Sequence, residues 1–289
     1  MFSIRNLSDQ LVDAMPWLDS AADLAHKAWD PLLGQDTPTA LRNALYGTWL
    51  GHPLHPAVTD LPIGFWTSSM LLDAFGMERG ADITLKAGTL SAVAAAATGM
   101  AQWHDLQNQE QPRRLGILHA LVNVGVTTCY GISWVMRSRD ARKAGIMWSL
   151  AGGSVASLGA LLGGDLAYRL GIGVSRVAFE APASEWVDTI PFDELEDGTP
   201  RRVEIESGPL VMVRQGTRVL AASTTCTHVG GPLDEGTIDA TCVTCPWHGS
   251  VFDLRDGHVV TGPATSPLHA FETRVHEGVV QVTATAPAF

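Results

Sequence analysis

The sequence lacks several features that define familiar protein classes. Its four cysteines in 289 residues are too few for a disulfide-stapled fold, and three of them stand close together near the C-terminal end. Basic residues are also scarce: the net charge is -11, and residues 185–289 hold fifteen acidic side chains against six arginines. This balance argues against a nucleic-acid partner, because nucleic acids select basic surfaces. No basic start followed by an apolar block occurs in the first thirty residues, so we expect no cleaved signal peptide.

Charge is absent from three long runs in the middle of the chain, residues 87–103, 115–136 and 145–164. Each run approaches the ~20 residues needed to cross the hydrocarbon core of a bilayer. A weaker fourth segment covers residues 57–75. A soluble helical domain with a rich core is the alternative, but short charged loops separate the runs, which is typical of a multi-pass membrane protein. We therefore predict four transmembrane helices in contact with lipid, in the cell membrane.

The regions on either side of these runs differ from them in composition. Residues 1–46 alternate apolar and acidic side chains and predict an amphipathic helical segment, with a helix that ends near Pro31. From Glu185 onward, short β-rich runs are separated by turn signals, which predicts a small all-β module. The predicted fold is multi-domain: an all-α four-helix transmembrane bundle followed by this module. Its predicted segments are 1–46 (amphipathic), 47–176 (membrane domain), 177–184 (linker) and 185–289 (all-β).

Two short motifs in the β-rich region contain cysteine and histidine residues, which commonly bind metal ions. CTHVGG contains Cys226 and His228, and CPWHGS contains Cys245 and His248. Two thiolates and two imidazoles suit a closed zinc site, or a two-iron, two-sulfur cluster with both cysteines on one iron. The glycines that follow favour the cluster, because they let backbone amides approach sulfur atoms closely.

Residues 185–285 resemble a Rieske domain in the stretches CTHVGGPLDEG, CPWHGSVFDLRDG and VVTGPATSPL. The resemblance implies that the two cysteines bind the buried iron of a [2Fe–2S] cluster and the two histidines bind the outer iron. It implies no role for Cys242, which we expect to be structural. Three further residues are expected beside the cluster or on the surface where a partner docks: Ser250, Trp247 and Pro263.

The sequence departs from the Rieske proteins of cytochrome bc complexes. The two positions of their loop disulfide are Gly231 and Trp247 here, and a hydroxyl-bearing tyrosine is replaced by Phe252. Loss of a hydrogen bond to sulfur lowers the reduction potential, so we expect a ferredoxin or oxygenase type of domain. Only 41 residues follow His248, so we do not expect a complete Rieske oxygenase. An oxidoreductase component remains an open interpretation.

The membrane region is similar to the four-helix family DUF2231, most clearly in GHPLHP, and that family is sometimes fused to a Rieske domain. The family name implies no activity. Four crossings would place four histidines on the same side of the membrane as the Rieske domain, which suggests a haem b or quinone site or, alternatively, helix anchoring. These histidines are His52, His55, His104 and His119.

The sequence therefore predicts a membrane-bound protein that relays single electrons through a Rieske cluster to or from a haem or quinone site, with a redox protein or quinone as partner. Two alternatives stay open: a ferredoxin-type component that feeds a separate oxygenase, and a membrane redox sensor or scaffold. Basic residues are nearly balanced between the two predicted sides, so they do not fix the orientation. A domain that already holds its cluster can be exported only in the folded state, which requires a twin-arginine signal. No twin-arginine pair stands just before the fourth predicted helix, so we expect the Rieske domain to be cytoplasmic.

Overall fold

The computed structural model describes residues 7–34, 37–180 and 184–284. The chain divides into two compact units. A helical unit comprises Met1–Asp36 and Leu54–Ile172, and a β unit comprises Thr37–Pro53 and Gly173–Phe289. The all-α region followed by an all-β domain is thus confirmed. Residues 37–53, which the sequence divides between the amphipathic segment and the membrane domain, belong to the β unit.

The helical unit contains six of the seven α-helices found in the described residues. Its N-terminal segment forms two helices and not the single predicted one, with Pro16 in the break, where a proline lacks the amide hydrogen needed to continue a helix. Four long helices follow at the positions of the predicted membrane segments. The six helices are α1 (Leu7–Asp13), α2 (Leu18–Leu33), α4 (Leu54–Ala74), α5 (Glu78–His104), α6 (Glu110–Ser138) and α7 (Arg142–Gly164).

Small residues allow the long helices to pack closely. The rings of Trp66 and Tyr130 stack with their centroids 4.1 Å apart. A Cβ atom on Gly88 would lie 2.6 Å from the Trp66 ring, and one on Gly152 would lie 3.0 Å from the Tyr130 ring. Glycine is therefore required at both positions, because a larger side chain would push the two helices apart.

Charged side chains are concentrated at the ends of the bundle. Arg137, at the end of α6, binds Asp73 at the end of α4 (2.6 Å) and Asp82 at the start of α5 (3.1 Å). At the opposite end, Arg113 and Arg114 of α6 bind Asp19 of α2. Adjacent long helices are therefore antiparallel.

The outward surface of the bundle is apolar. Among the described residues, two helices are long and apolar enough to cross a membrane, Glu110–Ser138 and Arg142–Arg169. Large apolar side chains on all four long helices are more than half exposed. They include Ile63, Leu71, Ile83, Leu90, Val93, Val124, Met147 and Leu150.

The β unit holds two antiparallel sheets and the helix α3 (Thr39–Tyr46). Its strands are β1 (Val187–Pro191), β2 (Pro200–Ile205), β3 (Gly208–Gln215), β4 (Arg218–Ser223), β5 (Thr237–Asp239), β6 (Cys242–Thr244), β7 (Val251–Asp253), β8 (Val259–Thr261), β9 (Ala270–His276) and β10 (Val279–Ala284). The six-stranded sheet has the order β1-β10-β9-β4-β3-β2, and the four-stranded sheet has the order β5-β6-β7-β8.

A tight hairpin turn at Glu277–Gly278 joins β9 and β10. His276 of β9 pairs with Val279 of β10, and the two residues between them have φ values of 49° and 79°. Two positive φ values in a two-residue loop match the twist of the strands they join. The turn thereby sets the register between β9 and β10.

Candidate metal centre

Two loops of the β unit carry the predicted ligands and share one turn geometry. In the loop after β4, the amide of Cys226 donates to Gly231 O (2.9 Å), and the amide of Gly230 donates back to Cys226 O (3.0 Å). In the loop between β6 and β7, the amide of Cys245 donates to Ser250 O (2.8 Å), and the amide of Gly249 donates to Cys245 O (3.1 Å). Each cysteine therefore begins the same closed turn.

Glycine is needed at the fifth residue of each turn. Gly230 has a φ of 84° and Gly249 a φ of 71°, in the left-handed region that side chains other than glycine rarely adopt. This requirement gives a physical reason for the two Cys-x-x-x-Gly patterns in the sequence. The two turns bring the four metal-ligating side chains together from loops nineteen residues apart in the chain.

The two cysteine sulfurs are buried and lie close enough for a thiol hydrogen bond between them. This bond raises the pKa of Cys226 and lowers the pKa of Cys245 to about 7. Backbone amides also donate to the sulfurs, from His228 to Cys226 and from Trp247 and His248 to Cys245. Amide donors favour the thiolate, which is the form that binds iron.

The two histidines lie further out than the cysteines. The rings of His228 and His248 are perpendicular, with centroids 5.2 Å apart, and their Nδ1 atoms are buried. Both residues are partly exposed, whereas Cys226 and Cys245 are 1% and 2% exposed. A pair of buried thiols below a pair of partly exposed imidazoles fits a [2Fe–2S] cluster with cysteines on the inner iron.

Gly231 provides space beside this centre. A Cβ atom at this position would lie 2.7 Å from the Cys245 sulfur and 3.2 Å from the Trp247 ring. The closeness of positions 231 and 247 agrees with the correspondence inferred from the resemblance. Neither residue here has a thiol, so no disulfide joins the two loops.

Ser250 and Phe252 lie beside the cysteines. The Ser250 hydroxyl accepts a hydrogen bond from the Ala264 amide at 3.0 Å and donates one to the Cys226 sulfur. Phe252 is completely buried in the same apolar cluster as both cysteines. Ser250 therefore supplies a hydroxyl donor to sulfur, and Phe252 supplies none.

The surface expected for docking is only partly accessible. Trp247 is 51% exposed, as a docking residue should be. Pro263 is buried, which contradicts its predicted place on that surface. Helix α3 and the residues after it bind this loop: Asn43 accepts from the Gly262 amide at 2.9 Å, and Thr48 donates to Ala264 O at 3.4 Å.

Sequence reasoning missed Arg42, a buried residue of α3. Its guanidinium donates to the backbone oxygen of His248 at 3.2 Å, so a positive charge lies beside a predicted iron ligand. Arg42 is more than two hundred positions before His248, in a segment whose pattern predicted only an amphipathic helix. No sequence feature connects the two.

Cys242 is separate from the ligand cysteines. It lies on β6 opposite Asp253 of β7, and burial raises the pKa of its thiol. Asp253 is buried and binds the exposed side chain of Arg255. Their hydrogen bond holds the pKa of the Asp253 carboxyl below its usual range.

The four histidines expected near the membrane fall in both units. His52 is exposed and belongs to the β unit. His55 and His119 belong to the helical unit, where their Nδ1 atoms bond Ala95 O (2.9 Å) and Gly159 O (3.0 Å). His104 of the same unit instead stacks on His26 of α2. A haem or quinone site built from these four histidines stays a prediction.

Glycines make room for the two imidazoles in the bundle. A Cβ atom on Gly99 would lie 2.8 Å from the His55 ring, and one on Gly163 would lie 3.0 Å from the His119 ring. Because carbonyl oxygens only accept hydrogen bonds, Nδ1 of each ring must be the protonated nitrogen. In the neutral form of each ring, Nε2 can then accept a hydrogen bond. At His119 the amide nitrogen of Asn123 lies 3.1 Å from Nε2, within hydrogen-bonding distance.

Comparisons with known proteins match both parts of the chain. Residues 185–272 match the model of the Rieske [2Fe-2S] domain, and residues 51–176 match that of a predicted membrane protein family, DUF2231. Ferredoxin CarAc of Metapseudomonas resinovorans is 38% identical over 34% of this chain and 92% of its own length.

Two further relatives differ in how much of their own length is matched. The anthranilate 1,2-dioxygenase ferredoxin subunit of Burkholderia cepacia is 30% identical over 36% of this chain and 95% of its own length. Human apoptosis-inducing factor 3 is 33% identical over 33% of this chain, but the match spans only 16% of that protein.

Proposed function

Because the chain belongs to the Rieske [2Fe-2S] family through residues 185–272 and to the DUF2231 family of predicted membrane proteins through residues 51–176, we propose that it is a membrane-bound electron-transfer protein. The observation that carries this proposal is the pair of matching turns that brings two buried thiols beneath two partly exposed imidazoles. When bound there, a [2Fe–2S] cluster takes up and releases one electron at a time.

In this proposal, the two cysteines and the two histidines of the turns hold the cluster from opposite sides. Cys226 and Cys245 would hold the cluster from its buried side as thiolates, which the backbone amides stabilise. His228 and His248 would hold it from the exposed side and provide the route to the surface, where the exposed Trp247 ring lies 6.4 Å from the His248 ring. A redox partner protein would therefore dock at Trp247 and the two histidines.

Metal and sulfide analysis of the purified protein tests the cluster. About two iron atoms and two acid-labile sulfides per chain are expected. Replacement of His228 or His248 should abolish or convert the cluster, whereas Cys242→Ser should leave it intact. Stoichiometric zinc without sulfide would contradict the assignment.

The reduction potential is expected to lie below that of the bc-type proteins. Phe252 is buried against the cysteines and has no hydroxyl, and no disulfide joins the two loops. We therefore expect a value in the lower part of the Rieske range of about -150 to +300 mV. Voltammetry of the full-length protein measures it, and a midpoint above about +200 mV would contradict the argument.

We place the four long helices across the membrane, in contact with lipid. Two of them satisfy length and composition criteria for a span, and all four expose large apolar side chains that water would not favour. Resistance to carbonate extraction tests the insertion. Cysteine-accessibility labelling at Ser175 and Lys143 tests the orientation: with a cytoplasmic β unit, only the second site should react from the outside.

His55 and His119 are the candidates for a second redox site in the bundle. Because Nδ1 of each ring donates to a carbonyl oxygen, Nε2 would be the atom that binds a haem iron or accepts a proton from a quinol. At His119 it would do so in place of the Asn123 amide, which lies 3.1 Å from Nε2. A haem b should give a sharp band in the reduced spectrum that disappears in His119→Ala and persists in the control His52→Ala. If no haem is found, quinone analogues should perturb the EPR line of the cluster. Failure of both results would leave the bundle as an anchor.

A second candidate function is a ferredoxin-type component that feeds a separate oxygenase. It is supported by the names of two relatives, which are ferredoxin components, one of them of a dioxygenase. This function needs no redox group in the bundle. Reduced protein that passes electrons to a Rieske oxygenase in trans, unchanged by His119→Ala, would favour it. If electrons pass neither to a redox site in the bundle nor to a separate oxygenase, a role as a redox sensor is the remaining interpretation.

A further inference from the structure

Three potential metal ligands converge where α2 packs against the end of α5 in the helical unit. His26 and Asp30 are four residues apart on α2 and therefore lie on one face of that helix. His104 is the last residue of α5. One ligand atom from each side chain lies within 4.8 Å of the others. None of these residues takes part in the Rieske centre.

His104 is buried without a hydrogen bond to either ring nitrogen. Its side chain is 7% exposed, and both Nδ1 and Nε2 are buried and unbonded. Asp30 Oδ1 lies 3.4 Å from Nε2, and Asp105 Oδ1 lies 3.8 Å from Nδ1. Neither contact is a formed hydrogen bond. Because an unsatisfied buried polar group is destabilising, this imidazole requires another partner.

The second imidazole of the site lies against the first. The His26 ring stacks on the His104 ring, with centroids 4.2 Å apart and an interplanar angle of 12°. Because the lone pair of an imidazole nitrogen lies in the plane of its ring, two stacked rings do not both point at one ion. A metal ion that bound both rings would therefore turn the partly exposed His26 ring out of the stack, while the Asp30 carboxylate balanced its charge.

We propose that His26, Asp30 and His104 bind a divalent first-row transition-metal ion. Two imidazoles and one carboxylate suit Zn²⁺ and Fe²⁺ and are poor ligands for Mg²⁺ or Ca²⁺. Three protein ligands leave at least one coordination position open for water or a substrate oxygen. The ion would also fasten the N-terminal helix α2 to the end of α5, because its ligands come from both.

Zn²⁺ titration of the full-length, cluster-loaded protein in detergent tests the site. We expect one Zn²⁺ per chain, with acid-labile sulfide unchanged, and a rise in the thermal transition of the helices. Co²⁺ should bind with visible absorption bands that identify nitrogen and oxygen ligands. Asp30→Asn and His26→Ala should each weaken binding by about tenfold or more, since even the loss of an outer-sphere partner costs that much.

Controls separate loss of the site from loss of the fold. His104→Gln changes a buried side chain and could unfold the bundle, whereas Asp30 is exposed, so Asp30→Asn should keep the wild-type helicity and cluster content. His52→Ala removes an exposed histidine elsewhere and should leave Zn²⁺ affinity unchanged. Absence of stoichiometric binding in the wild type, or undiminished binding in Asp30→Asn, would overturn the proposal.

Discussion

Ser250→Ala should lower the reduction potential of the Rieske centre. The Ser250 hydroxyl accepts from the Ala264 amide at 3.0 Å, which orients it, and it donates to the Cys226 sulfur. Reduction adds negative charge to the iron–sulfur centre, so a donor to sulfur stabilises the reduced form more than the oxidised form. Removing the donor makes the extra electron less stable.

The magnitude follows from the strength of a hydrogen bond to a charged group, about 1.5–3 kcal/mol. Only the difference in hydrogen-bond free energy between the reduced and the oxidised centre changes the potential. If that difference is half of the total hydrogen-bond energy, it amounts to about 1 kcal/mol. Since 1.4 kcal/mol corresponds to about 59 mV for one electron, the expected decrease is roughly 40 mV. The Ala264 amide also loses its acceptor, which should cost about 1–3 kcal/mol of stability.

A redox titration of the full-length protein followed by EPR measures this shift. Thr227→Val is a matched control, since Thr227 is buried beside Cys226 and its hydroxyl donates to Ser266 O at 2.7 Å, not to sulfur. The control should lower the thermal transition without moving the potential. An unchanged or raised potential in Ser250→Ala, at full cluster content, would refute the reasoning.

Three further predictions concern the surroundings of the centre. Gly231→Ala should reduce the iron and sulfide content, because the new Cβ atom would lie 2.7 Å from the Cys245 sulfur. The control Gly278→Ala, in a turn with open space around it, should keep the cluster. Equal iron and sulfide content in the two variants would contradict the prediction. Arg42→Gln should lower the potential by tens of millivolts, since a unit charge about 10 Å away at an effective dielectric constant of about 20 contributes about 1.7 kcal/mol; an upward shift on voltammetry would exclude this role. Asp253→Asn should lower the thermal transition by an amount equivalent to about 1–2 kcal/mol at pH 7. Because folding lowers the pKa of Asp253, the carboxylate contributes to stability above its unfolded pKa of about 3.9. This stability is lost as the pH falls through the folded pKa. A difference in thermal transition between wild type and Asp253→Asn that persists at pH 2 would contradict the prediction.

Local patterns in the sequence were enough to predict the cluster loops and the long helices. The turns at Cys226 and Cys245 each need a glycine with a positive φ four residues later, and that need is visible in the sequence as Gly230 and Gly249. The three uncharged runs lie within α5, α6 and α7, and each helix ends within two residues of the end of its run, although α5 begins nine residues before its run. Both predictions succeed because the interactions that fix them lie within a few residues, or within one helix.

Only the tertiary structure decided which distant residues meet. Helix α3 has the same alternating composition as α2, yet it packs on the β unit, where Arg42 reaches His248 and Pro263 becomes buried. The sequence assigns His104 and His119 to one candidate site, but the packing of α2 gives His104 the partner His26. Such contacts join positions that lie tens to hundreds of residues apart, so periodicity and motif spacing, which report only on near neighbours in the chain, do not contain them.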